Sequence, residues 1–304
     1  MEEELLKKIE ELNLENIKIK GSKEYKTGKD LINLKEMLKS FKFNKLISKF
    51  IARKMIYKYN AHGELENDFK YDKSSISKEK PKVAVYTCIT GKYDNLIQPF
   101  TKFANIEYIA FTDNLQQANN DWNIKDIPEN IRKLKSNILI NRYIKFHPHE
   151  LFSDKYDYSI YIDGNIKVIS DLTNMIYGIN NKTGLAFHRH QFRDCIYNEI
   201  EVCRLIKKGN YAKLKEQIEQ YKKEGFPSRY GLYECNVIAC DLKNDNAKQL
   251  LNSWWDEFKN SQSLRDQIAL PYVVWKNGYK FNDIGSLGNN VYKNPKIRIE
   301  SHNV

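Results

Sequence analysis

The sequence predicts an α/β fold: a mainly parallel sheet flanked by helices, preceded by a helical N-terminal extension. Three observations carry this expectation. Short β-branched and aromatic runs lack polar alternation, as strands buried on both faces do. Helical patterns alternate with these runs, which implies parallel strands with helices on both faces of the sheet. Three of the runs end abruptly in polar residues, and ligands of open α/β sheets bind just beyond such carboxyl ends.

Residues 1–80 are rich in Lys, Glu, Leu and Ile and read as helix, ending in the Ser-rich stretch Asp72–Pro81. That stretch reads as a linker, so the expected division is an extension over 1–80 and a catalytic-type domain over 81–304. Between Leu31 and Lys58 apolar residues recur at helical spacing among eight Lys or Arg and a single Glu. Such a segment either packs on the domain with its lysines solvated or lies on an anionic membrane surface. The domain then opens with Val83–Ile89 as a first strand and Glu107–Asp113 as a second. A helix over Lys135–Phe146 precedes the third strand, Tyr158–Ile162. Helices follow over Cys195–Lys207 and Tyr211–Glu224, then a strand at Val237–Cys240 and a helix over Asp245–Lys259.

The apolar runs are too short to span a bilayer. The acidic, amphipathic start Met1–Lys8 does not read as a secretory signal. Five cysteines, odd in number and without C-x-x-C spacing, argue against a disulfide framework or a thiolate zinc site. The expected location is the cytoplasm, peripheral at the inner membrane face where residues 31–58 engage it. The net charge of +11 calls for an acidic partner. It is spread over the chain, with 19 basic and 14 acidic side chains in residues 1–80, which points away from nucleic acid. No GxGxxG or P-loop pattern is present, so an ordinary dinucleotide or P-loop enzyme is not expected.

The sharpest motif is Tyr158-Ser159-Ile160-Tyr161-Ile162-Asp163-Gly164-Asn165, a strand that stops in a carboxylate, a glycine and an amide. Gly164 permits a sharp turn that brings the two oxygen-bearing side chains together. Hard divalent cations such as Mg²⁺ and Mn²⁺ take such ligands and share them with substrate phosphates, making Asp163 and Asn165 the candidate metal pair. Thr87 with Asp94, and Thr112-Asp113, end the other two strands. Together the three ends describe a polar crevice suited to a nucleotide. Tyr93 or Phe111 fits base stacking and Asp113 fits base or ribose recognition, although an isolated aromatic more often packs in a core. Arg142 and Lys145, three apart on one helix face, suit a diphosphate. His147 and His149, split by Pro148, read as a helix stop. The segment His188–Glu199 is dense in ionisable groups and supplies His190 and Arg193 as sugar- or phosphate-binding candidates. Cys195 has no base at fixed spacing and is not expected to be a nucleophile. Arg265-Asp266-Gln267 begins an apolar helical stretch, with Asp266 a candidate base or hydroxyl acceptor.

These segments in order, from Tyr86–Asp94 through Phe111–Asn114, Asn141-Arg142, Tyr161–Asn165, His190, Arg193–Tyr197, Gly231–Glu234, Trp254-Trp255 and Arg265–Gln267 to Pro271–Val273, resemble a glycosyltransferase-like family. That family was formerly a domain of unknown function and includes plant mucilage-related and bacterial surface-polysaccharide proteins. The resemblance covers about residues 82–280. It implies a GT-A fold that binds a nucleotide-sugar at the sheet's carboxyl rim, where a DxD-like motif holds a divalent ion against the diphosphate. Asp163 would then serve as metal or ribose ligand, with Asn165 in the third position. The amide there removes one negative charge, and Arg142, Lys145 or Arg193 would supply part of the neutralisation. Arg265, Asp266 and Gln267 would face the donor sugar. The expected activity is hexosyl transfer from a nucleoside-diphosphate sugar to a growing surface glycan or glycolipid, with Asp163 and Asp266 catalytic. A nucleotidyl- or phosphosugar transferase and a non-catalytic nucleotide- or glycan-binding module are the alternatives.

Overall fold

A computed structural model of the chain describes residues 2–39, 54–69, 81–91, 93–115 and 121–302. Two helices come first, α1 (Glu2–Gly21) and α2 (Lys23–Lys39). The domain then runs β1 (Val83–Ile89), β2 (Ile106–Thr112), β3 (Asn123–Lys125), α3 (Glu129–Arg132), α4 (Asn137–Phe146), α5 (Pro148–Phe152), β4 (Tyr158–Ile162) and β5 (Ile166–Val168). It continues with β6 (Leu185–Arg189), α6 (Ile196–Leu205), α7 (Tyr211–Lys223), β7 (Tyr233–Asp241), α8 (Asp245–Ser261), α9 (Asp266–Lys276), β8 (Gly285–Ser286) and β9 (Ile297–Ile299).

Seven strands form one sheet in the order β3-β2-β1-β4-β7-β6-β8, and β5 pairs with β9 in a small second sheet. Every pairing in the large sheet is parallel except those of β7, which runs against both β4 and β6. The α/β class and mainly parallel sheet expected from the sequence are present. β1 is buried at all seven positions, which is why its sequence is a continuous Val-Ala-Val-Tyr-Thr-Cys-Ile run. Side-chain caps start three of the helices: Ser136 accepts from the Leu139 amide, Asn210 from Lys213, and Asn244 from Asn246 and Ala247. Gly184 has a φ of +64°, and a Cβ there would stand 2.6 Å from the Asn244 side chain, so the turn before β6 admits only glycine.

The two faces of the sheet are covered differently. Helices α3–α9 bury one face in an aromatic-rich cluster that includes Tyr86, Phe146, Phe187, Tyr221, Trp254 and Tyr272. The other face packs Val83, Val85, Ile160, Ile162 and Ala239 against Met175 and Ile176 of a 3₁₀ segment, its N-cap Leu172 and Ile297 of β9. The extension adds α1 on this side rather than a further layer of sheet-facing helices. Asn13 of α1 donates to the carbonyls of Pro295 (2.9 Å) and Ile297 (3.1 Å) and accepts from the Arg298 guanidinium. Glu10 accepts from Ser170 (2.6 Å) and pairs with Lys296 (2.7 Å). Residues 57–68 also lie on the domain: the Ala61 amide donates to the Phe192 carbonyl at 2.8 Å, and Asn290 donates to the Leu65 carbonyl at 2.7 Å.

All five cysteines are buried and unpaired. No described helix is long and apolar enough to cross a membrane. Of the basic segment 31–58, residues 40–53 lie outside the described residues, while Leu31 and Ile32 are exposed on α2. His147 ends α4, contacting the Tyr143 carbonyl through Nδ1 at 2.8 Å with its ring stacked 3.9 Å from that of Tyr143.

Trp254 of α8 joins three other elements, α4, β6 and α9. It is fully buried, lies 4.0 Å from the Phe146 ring and 5.8 Å from Phe187, and donates through Nε1 to the Asp266 carbonyl at 2.9 Å. Trp254→Ala is expected to cost about 3–5 kcal/mol in urea denaturation, the range for a large aromatic removed from a packed core.

Candidate functional site

Parallel pairing sets the carboxyl ends of β2, β1 and β4 side by side, so Asp113, Thr90 and Asp163 share one rim. Antiparallel β7 enters the sheet at that same rim and delivers its amino end there; the Asp163 amide donates to the Asn236 carbonyl at 2.9 Å. β6 leaves the sheet at this edge too, after a register shift between Phe187 and His188. Such bulges re-aim the residues that follow, and here they lead into His190 and Arg193. A cleft of about 370 Å³ opens at the rim.

Nine of the sequence-selected residues line this cleft: Arg142, Lys145, Asp163, Asn165, His190, Arg193, Arg265, Asp266 and Gln267. At its base lies an ion cluster. Lys145 Nζ is 2.8 Å from Asp266 Oδ2 and 3.8 Å from Asp163 Oδ1, and Arg142 Nε is 2.9 Å from the same Asp266 oxygen. Lys145 is 1% exposed, with the rings of Tyr161 and Trp254 at 5.0 and 6.0 Å from its ammonium. Burial alone would raise the Asp266 pKa. The charges of Arg142, Lys145 and Arg265 outweigh burial and hold the carboxyl well below the usual carboxylate range. Asp266 is therefore a fixed anion and a weak base. Its other oxygen, Oδ1, accepts from the Gln267 amide at 3.0 Å.

A second network adjoins this cluster. Arg193 Nε donates to Glu199 Oε2 at 2.6 Å, and His190 Nδ1 accepts from the amides of Phe192 and Arg193. Burial, followed by the Arg193 charge, pushes the His190 pKa well down, so the ring is neutral. Gln267 receives a hydrogen bond from Arg265 (2.8 Å) and donates to Glu234 Oε2 (3.1 Å) and the Tyr233 carbonyl (3.0 Å). Glu234 has the opposite electrostatic setting to Asp266. Burial and the neighbouring Glu199 charge push its carboxyl up to about 8, against the opposing pull of Arg193, Arg265 and Lys208. Three buried polar atoms of cleft residues, Arg142 Nε (beyond its ion pair with Asp266), Asn236 Oδ1 and Arg265 Nε, have no hydrogen-bond partner among the described residues, as a site built for a ligand would leave them.

The remaining selected residues fall elsewhere. Phe111 is not at the cleft: it is buried beside Phe152, because period-two alternation turns it to the helix-covered face with Ile109. Thr87 faces the opposite way on β1 and is 1% exposed. Asp113 is exposed and accepts the Gly91 amide at 2.8 Å, fixing the turn after β1. Tyr93 and Asp94 stand at the cleft margin through His302, whose Nδ1 is 2.9 Å from Asp94 Oδ2 and whose ring centroid is 5.0 Å from that of Tyr93. Gly164 is required for space rather than for a left-handed turn, since a Cβ there would stand 2.8 Å from the Ile89 side chain.

Sequence reasoning passed over Glu234 as a site residue. Its signal was present: Glu234 and Asn236 alternate with buried Tyr233 and Cys235, which extends β7 four residues before the apolar run.

As for a cation, no group of three or more His, Cys, Asp or Glu among the described residues forms a cage. The donor set at the motif is one carboxylate, Asp163, and one amide. Asn165 Nδ2 donates to the Glu300 carbonyl at 2.9 Å, which leaves Oδ1 for a ligand. Two hard oxygens at a strand end fit Mg²⁺ or Mn²⁺, which keep waters and draw further ligands from substrate phosphates.

A family model described as TOD1/MUCI70, glycosyltransferase-like domain, matches residues 33–285, which includes every cleft residue discussed above except His302. A search of curated proteins gives no match. Among solved structures the chain is similar to the crystal structure of mouse xyloside xylosyltransferase 1 in its apo form. The TM-score is 0.41 and the identity 10%, over 64% of this chain and 82% of that one.

The ion cluster makes a direct prediction. Asp266→Ala leaves the buried Lys145 and the half-buried Arg142 without their carboxylate and is expected to cost about 3–5 kcal/mol at neutral pH. Because the folded-state pKa of Asp266 is depressed, its contribution is present above the ordinary aspartate range and lost as pH falls. The deficit of the variant in denaturant melts should therefore narrow below about pH 4. A wild-type denaturation midpoint for Asp266→Ala at pH 7 would contradict this.

Proposed function

The chain belongs to the TOD1/MUCI70 glycosyltransferase-like family, and from that premise we propose that it transfers a hexosyl group from a nucleoside-diphosphate sugar to a surface glycan, in the cleft beyond β4. One observation carries the reading: Arg142, Lys145, Asp163, Asn165, Asp266 and Gln267, drawn from three separate segments, line a single cleft. Glycosyl transfer needs charge neutralisation at the departing diphosphate and orientation of the sugar. Arg142 and Lys145 are the cations for the first task, and Gln267 with Arg265 supplies polar groups for the second.

Asp163 and Asn165 Oδ1 would hold a divalent cation together with the donor phosphates. When bound, that cation supplies part of the charge neutralisation of the leaving diphosphate. Asp266 is better suited to holding Arg142 and Lys145 in place than to removing a proton. Glu234 is the stronger base, and its position at the amino end of β7 puts it in the same cleft. We assign it the acceptance of the proton from the attacking hydroxyl.

Two measurements test the reading. In calorimetry against a panel of nucleotide-sugars, the wild type should bind one selectively, more tightly with Mn²⁺. Asp163→Ala should lose that enhancement and about 100-fold or more of transfer at an unchanged melting temperature. Binding of none of the panel would count against a nucleotide-sugar transferase.

The second concerns Glu234. If it takes the proton, transfer rises with pH up to about 8, and Glu234→Gln flattens that limb while lowering the rate about 100-fold or more. The same residue has a stability signature. Its raised folded-state pKa favours the fold at low pH, and that contribution fades as pH climbs through about 8. Glu234→Gln should therefore melt higher than wild type at pH 9. A lower melting temperature there would refute the electrostatic assignment.

A further inference from the structure

Beside the cleft lies a second, larger cavity of about 1070 Å³. The two share Gln191, Phe192, Tyr292 and Ile299 in their linings, so an extended molecule seated in one reaches the other. One wall is the carboxyl end of α1 and the start of α2, which contribute Lys18, Lys20 and Lys26. This wall lies before residue 33, outside the span that matches the family. It is nonetheless held in place, because Asn13 and Glu10 bind α1 to Arg298, Lys296 and the backbone of residues 295–297.

The charge of the cavity is one-sided. Against Lys18, Lys20, Lys26, Lys293 and Arg298 stand, among the described residues, only Glu64 and Glu66, and both are drawn to Lys293, at 3.9 and 2.6 Å. The three helix lysines are solvent-exposed and make no ion pair among the described residues. Two aromatic rings also line the space while largely open to solvent: Tyr57, 66% exposed, and Tyr292, 46% exposed. Exposed rings beside unpaired cations suit a ligand with apolar sugar faces and anionic substituents. The small cleft holds the reacting groups, and the larger cavity has room for several sugar units.

We infer that this cavity is the acceptor subsite and that the acceptor is an acidic glycan, its anionic groups paired with Lys18, Lys20 and Lys26 and its sugar faces on Tyr57 and Tyr292. The inference rests on the glycosyltransferase reading and adds to it the chemical class of the acceptor. It also assigns α1, which precedes the family-matched span, a role in choosing that acceptor.

The test is calorimetric titration of the full chain with three probes: a hyaluronan hexasaccharide (carboxylates), mannopentaose 6-phosphate (a phosphate) and maltohexaose (neutral). The same nucleotide-sugar panel is titrated in parallel. The wild type should bind at least one acidic probe and not maltohexaose, and the acidic probe that binds identifies carboxylate or phosphate as the group read. The exposed double variant K18E/K26E, checked by its melting temperature, should bind that probe about tenfold more weakly, two attractions having become repulsions. Its affinity for the nucleotide-sugar should be that of the wild type. Maltohexaose binding as tightly as the acidic probes, or unchanged acidic-probe affinity in K18E/K26E, would overturn the inference while nucleotide-sugar binding stood. Absence of nucleotide-sugar binding in the wild type would instead remove the transferase reading.

Discussion

The site depends on one buried ammonium. Lys145 sits at the base of the cleft with 1% of its surface exposed, and removing such a charge from water costs several kcal/mol unless it is matched. Asp266 matches it at 2.8 Å, and the same carboxylate oxygen takes Arg142 at 2.9 Å. The requirement for this match fixes the amino end of α9 against the carboxyl-terminal half of α4. Trp254 of α8 closes the arrangement by donating to the Asp266 carbonyl while its ring lies 6.0 Å from the Lys145 ammonium. Three helices and the end of β4 are thus brought to register by a charge that none of them could bury alone.

The reversed strand decides what else the cleft contains. A parallel strand at the position of β7 would present its carboxyl end to the rim and carry its amino end away. Because β7 is antiparallel to β4, its amino end lies beside Asp163, and Glu234 enters the cleft. Two of the cleft's carboxylates then stand in opposed settings. Asp266 faces three cations and is held ionised, whereas Glu234 is buried near the like charge of Glu199 and pushed up to about 8. Environments that drive two carboxyl pKa values apart are how one site supplies both a fixed charge and a proton acceptor.

The parts legible in the sequence were those dictated by local pattern. The continuous apolar runs of β1 and β4 are found where their residues placed them, and the helices over 137–146, 211–223 and 245–261 lie within two residues of their expected bounds. Of the three polar strand ends, Asp163 lines the cleft, where Arg142 and Lys145 of α4 join it, whereas Asp113 and Thr87 do not. Side-chain direction was less legible. Phe111 and Thr87 lie at the right height on their strands but turn into the packed faces, because alternation along a strand buried on both sides leaves no sequence contrast to mark inside from outside. Glu234 was hidden for a related reason: a strand start composed of Tyr-Glu-Cys-Asn has no continuous apolar run to announce it. Docking of α1 through Asn13 is non-local by more than 280 residues, and no local pattern encodes it.

The amide at the third position of the Asp163-Gly164-Asn165 motif has a structural cause of its own. Asn165 Nδ2 donates to the Glu300 carbonyl, and the Glu300 amide returns a bond to the Asn165 carbonyl at 2.9 Å. This pair continues the β5–β9 ladder past Ile299, so the turn that carries the motif is tied to the last strand of the chain. An aspartate at 165 would have no hydrogen to donate. It would set a carboxylate against a carbonyl oxygen in a nearly buried position, at a cost of about 1–3 kcal/mol for the unsatisfied group. The same strand, through Ile297 and Arg298, receives Asn13 of α1. The missing negative charge at 165 is therefore the consequence of using that side chain as a tether. Through it the strand-end motif, the C-terminal strand and the helix that walls the second cavity become one connected unit.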